Sequence, residues 1–563
     1  MVPLATHSFL LSAAVWPVLT GAIDSRSPFR GPQAVNLWKL QRQQSSVQST
    51  ASRAPALLIQ SPGNIQPVSA ELQTDVASSA NFPVYTFEQP LDHFFNTTNA
   101  TFGQRYWVST RHYVPNSGAP VIVIDGGETS GEDRLPYLDT GIADILAKAT
   151  GGVGVVLEHR YYGESVGVED FTTDNLRWLN NEQALEDSAV FMQNVKFEGI
   201  EEDLTAPNTP WIYYGGSYAG ARAAHMKILY PKTVWGSIAS SAVTHAALTN
   251  WEYMDVIRTY ADPVCSANLV HSIATVDTLI KIPIIKDRLK GLFNLSGLAS
   301  DQDFVSVLES PLGSWQSKNW DPAVGSTAFD DFCAQLNGNT SSLADTRKTI
   351  PFFGTHSVNI ALLSYASYIR NNIVSQCQLP ATVEDCFGTQ NDTSYQVADL
   401  SQTWRLWTFQ YCTQWGYLTT SPPNPKKYPP IISRLLDLDY EHKICVQAFP
   451  PGEFFTVPRL PDVHSVNVLG NFDIAADRLA FVDGEVDPWR PDTPHSQYYA
   501  KNRTDTTLRP FKLIPGAVHH WDENGLADPS AEPPEIAQIH AEEVAFVKTW
   551  LADFHAGKSK RTD

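Results

Sequence analysis

The sequence predicts an α/β protein whose mostly parallel sheet is interrupted by a mainly helical insertion. Three observations carry this. Short continuous apolar runs ending in glycine, such as "APVIVIDGG" (119–127) and "GGVGVVLEHRYYG" (151–163), suit strands buried on both faces. Segments with helix-like patterning separate them, "LDTGIADILAKAT" first and then "NNEQALEDSAVFMQNVKF". The rhythm stops near residue 250 and returns near 456, and all six cysteines lie between, from Cys265 to Cys445.

Taken in order, residues 1–22 read as a secretory signal. "FLLSAAVWPVLTGA" is apolar over the right length, and Thr20, Gly21 and Ala22 are small residues suited to cleavage. The run is too short to span a membrane, and no later segment is long enough. Residues 23–80 are rich in Ser, Gln, Pro and Ala with little periodicity, so a flexible leader or propeptide is expected there. Residues 81–250 form the first part of the α/β domain. It starts at "YTFEQPLDHF", contains the strand–turn–helix "TPWIYYGGSYAGARAAHMKILYP" and continues into the strand "TVWGSIASSA" (233–242). The insertion takes 251–455, helix-like and aromatic, with Trp404, Trp407 and Trp415 close together. Residues 456–555 complete the α/β domain with "RLAFVDGEVDPW" and "LRPFKLIPGAVHHWDENG". A closing amphipathic helix carries Ile536, Ile539, Val544, Val547, Trp550, Leu551 and Phe554. A flexible tail, 556–563, is expected after it. There is no internal repeat.

Composition narrows the function. With 43% apolar and 11% aromatic residues the chain is neither disordered nor fibrous. Its formal net charge of −20 argues against nucleic acid or anionic membrane as partner, because phosphate binding needs a basic face. Sequons at Asn96, Asn99, Asn294, Asn339, Asn391 and Asn502 are candidate glycosylation sites and agree with secretion. The vacuole or lysosome is an alternative end of the same pathway. The even cysteine count predicts disulfides in an oxidising compartment. A sequential arrangement is expected, Cys265–Cys333, Cys377–Cys386 and Cys412–Cys445, one of fifteen possible pairings. The last two close short loops, which eases their encounter in the unfolded chain. Neither C-x-x-C nor His-Glu-x-x-His occurs, so a metal site has no motif behind it.

The chemistry centres on Ser217. Gly215 and Gly216 before it permit the strained strand-to-helix turn of a nucleophile elbow, which exposes the serine hydroxyl above the sheet. The usual pattern has glycine two places after the serine; here that position is Ala219, with Gly220 next. An ordinary glycine-flanked turn is the competing reading. Serine needs a base and an acid, in the chain order Ser, Asp, His. "FVDGEVDPWR" supplies Asp487 beyond a strand end, with Asp483 nearer the strand and expected to form a turn. "LIPGAVHHWD" supplies His519 after the next strand, and only one of His519 and His520 can serve. All three at successive strand ends, in that order, predict an α/β-hydrolase fold with a mainly helical, disulfide-bearing insertion domain. The Tyr218 N–H is the expected first oxyanion donor, and the N–H of Gly127 or Glu128 in "VIVIDGGETSGED" the second. The Glu128 carboxylate would then lie near the pocket, where it could meet a substrate's cationic amine.

These landmarks resemble the S28 family of serine peptidases, which includes Pro-Xaa carboxypeptidase, dipeptidyl peptidase II and fungal acid prolyl endopeptidases. The resemblance rests on "FEQPLDHF…FGQRYWVS" (87–109), "EHRYYGES" (158–165), "GGSYAG" (215–220), "WTFQYCTQWG" (407–416), "DPWR" (487–490) and "PGAVHH" (515–520). It implies Ser217 as nucleophile, Asp487 as acid and His519 as base. It also implies an insertion that helps shape a proline pocket with Trp489 as a wall. Proline-containing peptides or proteins are the implied substrates, and no metal or organic cofactor is needed. Carboxypeptidase, dipeptidyl-peptidase and endopeptidase action all fit this pattern. Fold and triad alone also fit an esterase or lipase, and an inactive binding protein could keep the same fold.

Overall fold

The computed structural model of the chain describes residues 32–51, 81–338, 340 and 342–562. The expected signal at 1–22 and the sequon at Asn339 lie outside the described residues. Eight strands form the main sheet: β1 Val84–Pro90, β2 Thr101–Ser109, β3 Val121–Asp125, β4 Val153–Leu157, β5 Trp211–Gly216, β6 Gly236–Ser240, β7 Leu479–Gly484 and β8 Phe511–Ile514. Their spatial order is β1-β2-β4-β3-β5-β6-β7-β8. The first two pairings, β1 with β2 and β2 with β4, are antiparallel, and the rest are parallel.

Strands β3 and β4 are buried throughout, as continuous apolar runs require. Their residues alternate between two cores. Ile122 and Ile124 face a layer with Tyr214, Ile238 and Trp550, while Val121 and Val123 face one with Phe191, Trp211 and Tyr213. The segment expected as one helix after β3 is two, α2 Leu135–Asp139 and α3 Ile142–Thr150. The break falls at Gly141, where a Cβ would lie 2.4 Å from the Glu523 carbonyl oxygen, so this close approach excludes a larger residue. Helix α4 covers Asn181–Asn194, capped by the Asn180 side chain on the Gln183 N–H. Helix α5, Tyr218–Leu229, follows β5 directly.

Between Ala247 and Ala448 the chain is mainly helical, with two small two-stranded sheets. Its core merges with the roof of the α/β layer: Tyr218, Trp489 and Val518 belong to the same apolar cluster as Leu269, Phe304 and Trp415. The disulfides are Cys265–Cys333, Cys377–Cys386 and Cys412–Cys445, and no cysteine is free. The first joins helix Pro263–Leu279 to helix Ala328–Asn337, constraining a 68-residue separation. No helix among the described residues is long and apolar enough to cross a membrane.

Two expectations at the ends need correction. Part of the expected flexible leader is a helix, α1 Pro32–Ala51. Its own sequence is too polar to signal this, and packing onto the insertion stabilises it. Val35, Leu37 and Leu40 enter the insertion's apolar cluster, and Lys39 Nζ donates to Ser394 O at 3.0 Å. At the other end the final helix, Pro534–Thr562, runs through most of the expected tail.

Candidate active site

The loops beyond the C-terminal ends of parallel strands carry Ser217, Asp487, His519, Gly127 and Glu128, as expected for an open α/β sheet. Ser217 stands between β5 and α5 with φ 60° and ψ −122°, a conformation that a non-glycine residue holds only when its surroundings impose it. Its N–H donates to Ser240 O on the neighbouring strand at 2.9 Å. Two glycines make the turn possible. A Cβ on Gly215 would sit 2.1 Å from Ala219 O, and one on Gly220 would sit 2.4 Å from Ser240 O. The close helix–strand approach thus falls on Gly220, which explains why Ala219 is tolerated where the usual pattern has glycine.

Asp487 lies three residues beyond β7 and is fully buried. Its Oδ1 accepts the Trp489 N–H at 2.9 Å, and its Oδ2 is 2.8 Å from His519 Nδ1. An imidazole bonded to a carboxylate through Nδ1–H leaves Nε2 as its basic atom. That Nε2 is buried and has no hydrogen-bond partner among the described residues. His520 points elsewhere: its N–H donates to Ser241 Oγ at 2.9 Å, and its Nδ1 is 2.7 Å from Glu523 Oε2. A Cβ built on Gly216 would lie 3.4 Å from His520 Cγ, so the histidine loop packs against the elbow. Asp483, expected in a turn, is inside β7 instead. It accepts the Ala242 N–H at 3.1 Å and pairs with His495 Nδ1 at 2.6 Å.

The elbow is braced from behind. The Tyr218 ring packs edge-on against Trp407 and Trp415, at 5.1 and 5.0 Å between ring centres. Its hydroxyl receives the Gln410 Nε2 hydrogen at 2.8 Å and lies 3.0 Å from His159 Nε2. His159 Nδ1 faces the Arg160 carbonyl at 2.7 Å, so Nδ1 carries the hydrogen and Nε2 accepts from Tyr218. Burial holds His159 neutral, down to about 3, with the Arg222 charge acting in the same direction. The Tyr218 N–H, first in α5, has no partner within the helix.

Gly127 requires a correction as oxyanion donor. Its N–H is donated to Asp125 Oδ1 at 3.0 Å, which leaves the Glu128 N–H as the candidate in that loop. Asp125 is held in place by Arg222 Nε at 2.7 Å and Tyr213 Oη at 2.6 Å. The loop sits over the elbow, since a Cβ on Gly127 would be 3.3 Å from Ala219 Cβ. The Glu128 side chain is buried, and its carboxylate has no hydrogen-bond or ion-pair partner among the described residues. Trp489 also differs from expectation. It is only 1% exposed, its ring lies against Tyr253 and Tyr417, and its Nε1 donates to Gln316 Oε1 at 2.6 Å. It is therefore a packed side chain rather than an open wall. The sequons at Asn96, Asn99, Asn294, Asn391 and Asn502 are exposed.

Two networks escaped sequence reasoning: the Asp125–Arg222–Tyr213 group and the Tyr218–His159–Gln410 group. The "EHRYYG" run, polar and aromatic straight after a buried strand, was the available signal for the second.

Known proteins share this arrangement of sequence. The family model for serine carboxypeptidase S28 matches residues 89–541. A protein described as "Probable extracellular serine carboxypeptidase", from Arthroderma benhamiae, is 41% identical over 499 residues, covering 84% of this chain and 68% of that protein. "Serine protease vicPa" of Bipolaris victoriae is 28% identical and covers 84% of this chain and 90% of its own. "Lysosomal Pro-X carboxypeptidase" of Pongo abelii is 26% identical, covering 86% of this chain and 91% of its own.

Proposed function

The chain belongs to the serine carboxypeptidase S28 family, and from that premise we propose that it is a secreted serine peptidase that cleaves on the carboxyl side of proline, using Ser217, His519 and Asp487. The observation that carries the reading is the 2.8 Å contact between His519 Nδ1 and Asp487 Oδ2, at strand ends beside the strained Ser217. Ser217 Oγ attacks the proline carbonyl carbon while its proton passes to His519 Nε2. Asp487 orients the imidazole and stabilises its cationic form. The N–H groups of Tyr218 and Glu128 receive the developing oxyanion. His519 then gives its proton to the departing amine, and the acyl-enzyme forms. A water molecule, deprotonated by His519, hydrolyses the ester and restores Ser217. Three disulfides, five exposed sequons and the relative described as extracellular support secretion.

The relatives described as carboxypeptidases favour release of the C-terminal residue that follows proline. Mass spectrometry of a peptide ending in Pro-Xaa should find only the terminal residue removed, and amidation of that terminus should slow it. Cleavage at internal prolines at the same rate would reject the exo mode. The rigid apolar proline ring loses little entropy in an aromatic pocket beside Trp489. In a series varying only the residue before the cut, proline should react fastest and alanine more slowly. Equal rates for proline, leucine and lysine would reject the pocket.

His519→Ala should be inactive, whereas His520→Ala should keep substantial activity, because His520 faces Glu523 and not Asp487. The comparison needs only initial rates on one substrate. The opposite ranking would move the base by one residue.

A further inference from the structure

Six consecutive residues of the insertion, Trp315–Trp320, make four hydrogen bonds to the two loops that carry Asp487 and His519. On the acid loop, Trp315 Nε1 donates to Val486 O at 3.0 Å, and Gln316 Oε1 accepts from Trp489 Nε1 at 2.6 Å. These contacts flank Asp487 on both sides. On the base loop, Trp521 Nε1 donates to Lys318 O, and Trp320 Nε1 donates back to Trp521 O, both at 2.9 Å. This reciprocal pair sits two residues beyond His519.

We propose that the Trp315–Trp320 segment is a positioning element that sets the Asp487 loop against the His519 loop. The inference rests on the triad reading above. The two loops have a direct backbone bond of their own, from the Val486 N–H to Ala517 O at 3.0 Å. That bond fixes their strand-side roots. The segment fixes their outer halves, where Asp487 and His519 stand. It is itself anchored: Trp315 packs edge-on against Phe329 at 5.0 Å, and Lys318 Nζ pairs with Asp330 Oδ1 at 2.7 Å. Both partners belong to helix Ala328–Asn337, which the Cys265–Cys333 disulfide ties to helix Pro263–Leu279. The insertion thus acts on the reacting groups through a braced frame, besides covering the site.

The test removes indole donors and keeps an aromatic ring, with Trp315→Phe and Trp320→Phe in the full-length protein. A shift of the base relative to the nucleophile should lower kcat by about ten- to a hundredfold. KM should stay within about twofold, since neither residue is assigned to the substrate pocket. The control is Cys377→Ser/Cys386→Ser, which loosens a distant part of the insertion and should leave kcat near wild type. Melting temperature reports folding in each case. Trp315 is buried, so if that variant does not fold, half-buried Trp320 decides alone. Unchanged kcat in the folded Trp variants, a rise in KM with kcat held, or an equal kcat loss in the control would overturn the proposal. Turnover that survives Ser217→Ala in the otherwise unaltered protein would instead sink the triad reading, so the two failures are distinguishable.

Discussion

Ser217→Ala is expected to lower peptide hydrolysis by on the order of 10⁵- to 10⁶-fold, with little change in melting temperature. The size follows from how a triad works. Without the hydroxyl there is no acyl-enzyme, and what remains is binding plus the oxyanion donors acting on water. The stability half of the expectation follows from the turn. The Ser217 hydroxyl makes no hydrogen bond with a partner among the described residues, so its loss leaves no buried group unsatisfied. Alanine bears a Cβ as serine does, so the strain at φ 60° is unchanged. Initial rates on a proline peptide, labelling by a fluorophosphonate and a melting curve together check the expectation. Activity that persists in the variant would end the assignment of Ser217. A collapsed fold would show that the hydroxyl has a structural role.

The parts of this molecule that were legible in the sequence are those set by local pattern. Strands β3 and β4 announce themselves because both faces are buried and every position but the terminal Asp125 of β3 is apolar or glycine. Ser217, Asp487 and His519 stand out because each lies in the turn or loop that follows a strand-like run: Ser217 directly after β5, Asp487 three residues beyond β7 and His519 five beyond β8. What escaped depends on side chains meeting across long separations. Nothing around Gly127 shows that Asp125 captures its N–H, because that needs Asp125 already turned inward by Arg222, 97 residues away. Helix α1 escaped for a different reason. Its apolar residues are sparse, and their partners, the aromatic and disulfide-bearing segments of the insertion, come hundreds of residues later. The Trp315–Trp320 contacts fall in the same class, since "WQSKNW" reads as a surface loop until Trp489 and Trp521 are brought to it.

The fold should be most stable between about pH 4.5 and 6.5 and should lose stability as pH rises from there to 8. Burial raises four fully buried carboxyls above their usual range. Glu441 is raised to about 8 and Asp522 to about 6, while Glu309, beside Glu441, and Glu543, beside Asp522, are raised well above the carboxylate range. Each binds a proton in the folded state that the unfolded chain has released, so each makes stability fall with rising pH from about 4.5 up to its folded value. The slope is about 1.4 kcal/mol per pH unit per group. Buried histidines work the other way below 6.5. Burial lowers His159 and His225 to about 3, and lowers His245 and His442 as well. The unfolded chain then holds the extra proton, and stability rises with pH. Between 4.5 and 6.5 the two sets oppose each other. Below 4 the histidines are joined by Asp125 and Asp187, which Arg222 and Arg160 hold below the usual range against the effect of burial, so stability falls on acidification. Above 6.5 the histidines drop out, and Glu441 remains, with Glu309 and Glu543 shifted by burial in the same direction. Lys227, lowered to about 7 by burial, offsets only one of them. Melting curves from pH 3 to 8 should therefore show a plateau with a fall on each side. Glu441→Gln, which replaces a buried acid with a neutral isostere, should raise the melting temperature at pH 8 and change it little at pH 5. A melting temperature that holds steady or climbs from pH 6.5 to 8, or a fall that Glu441→Gln leaves untouched, would show that these carboxyls do not set the alkaline limit.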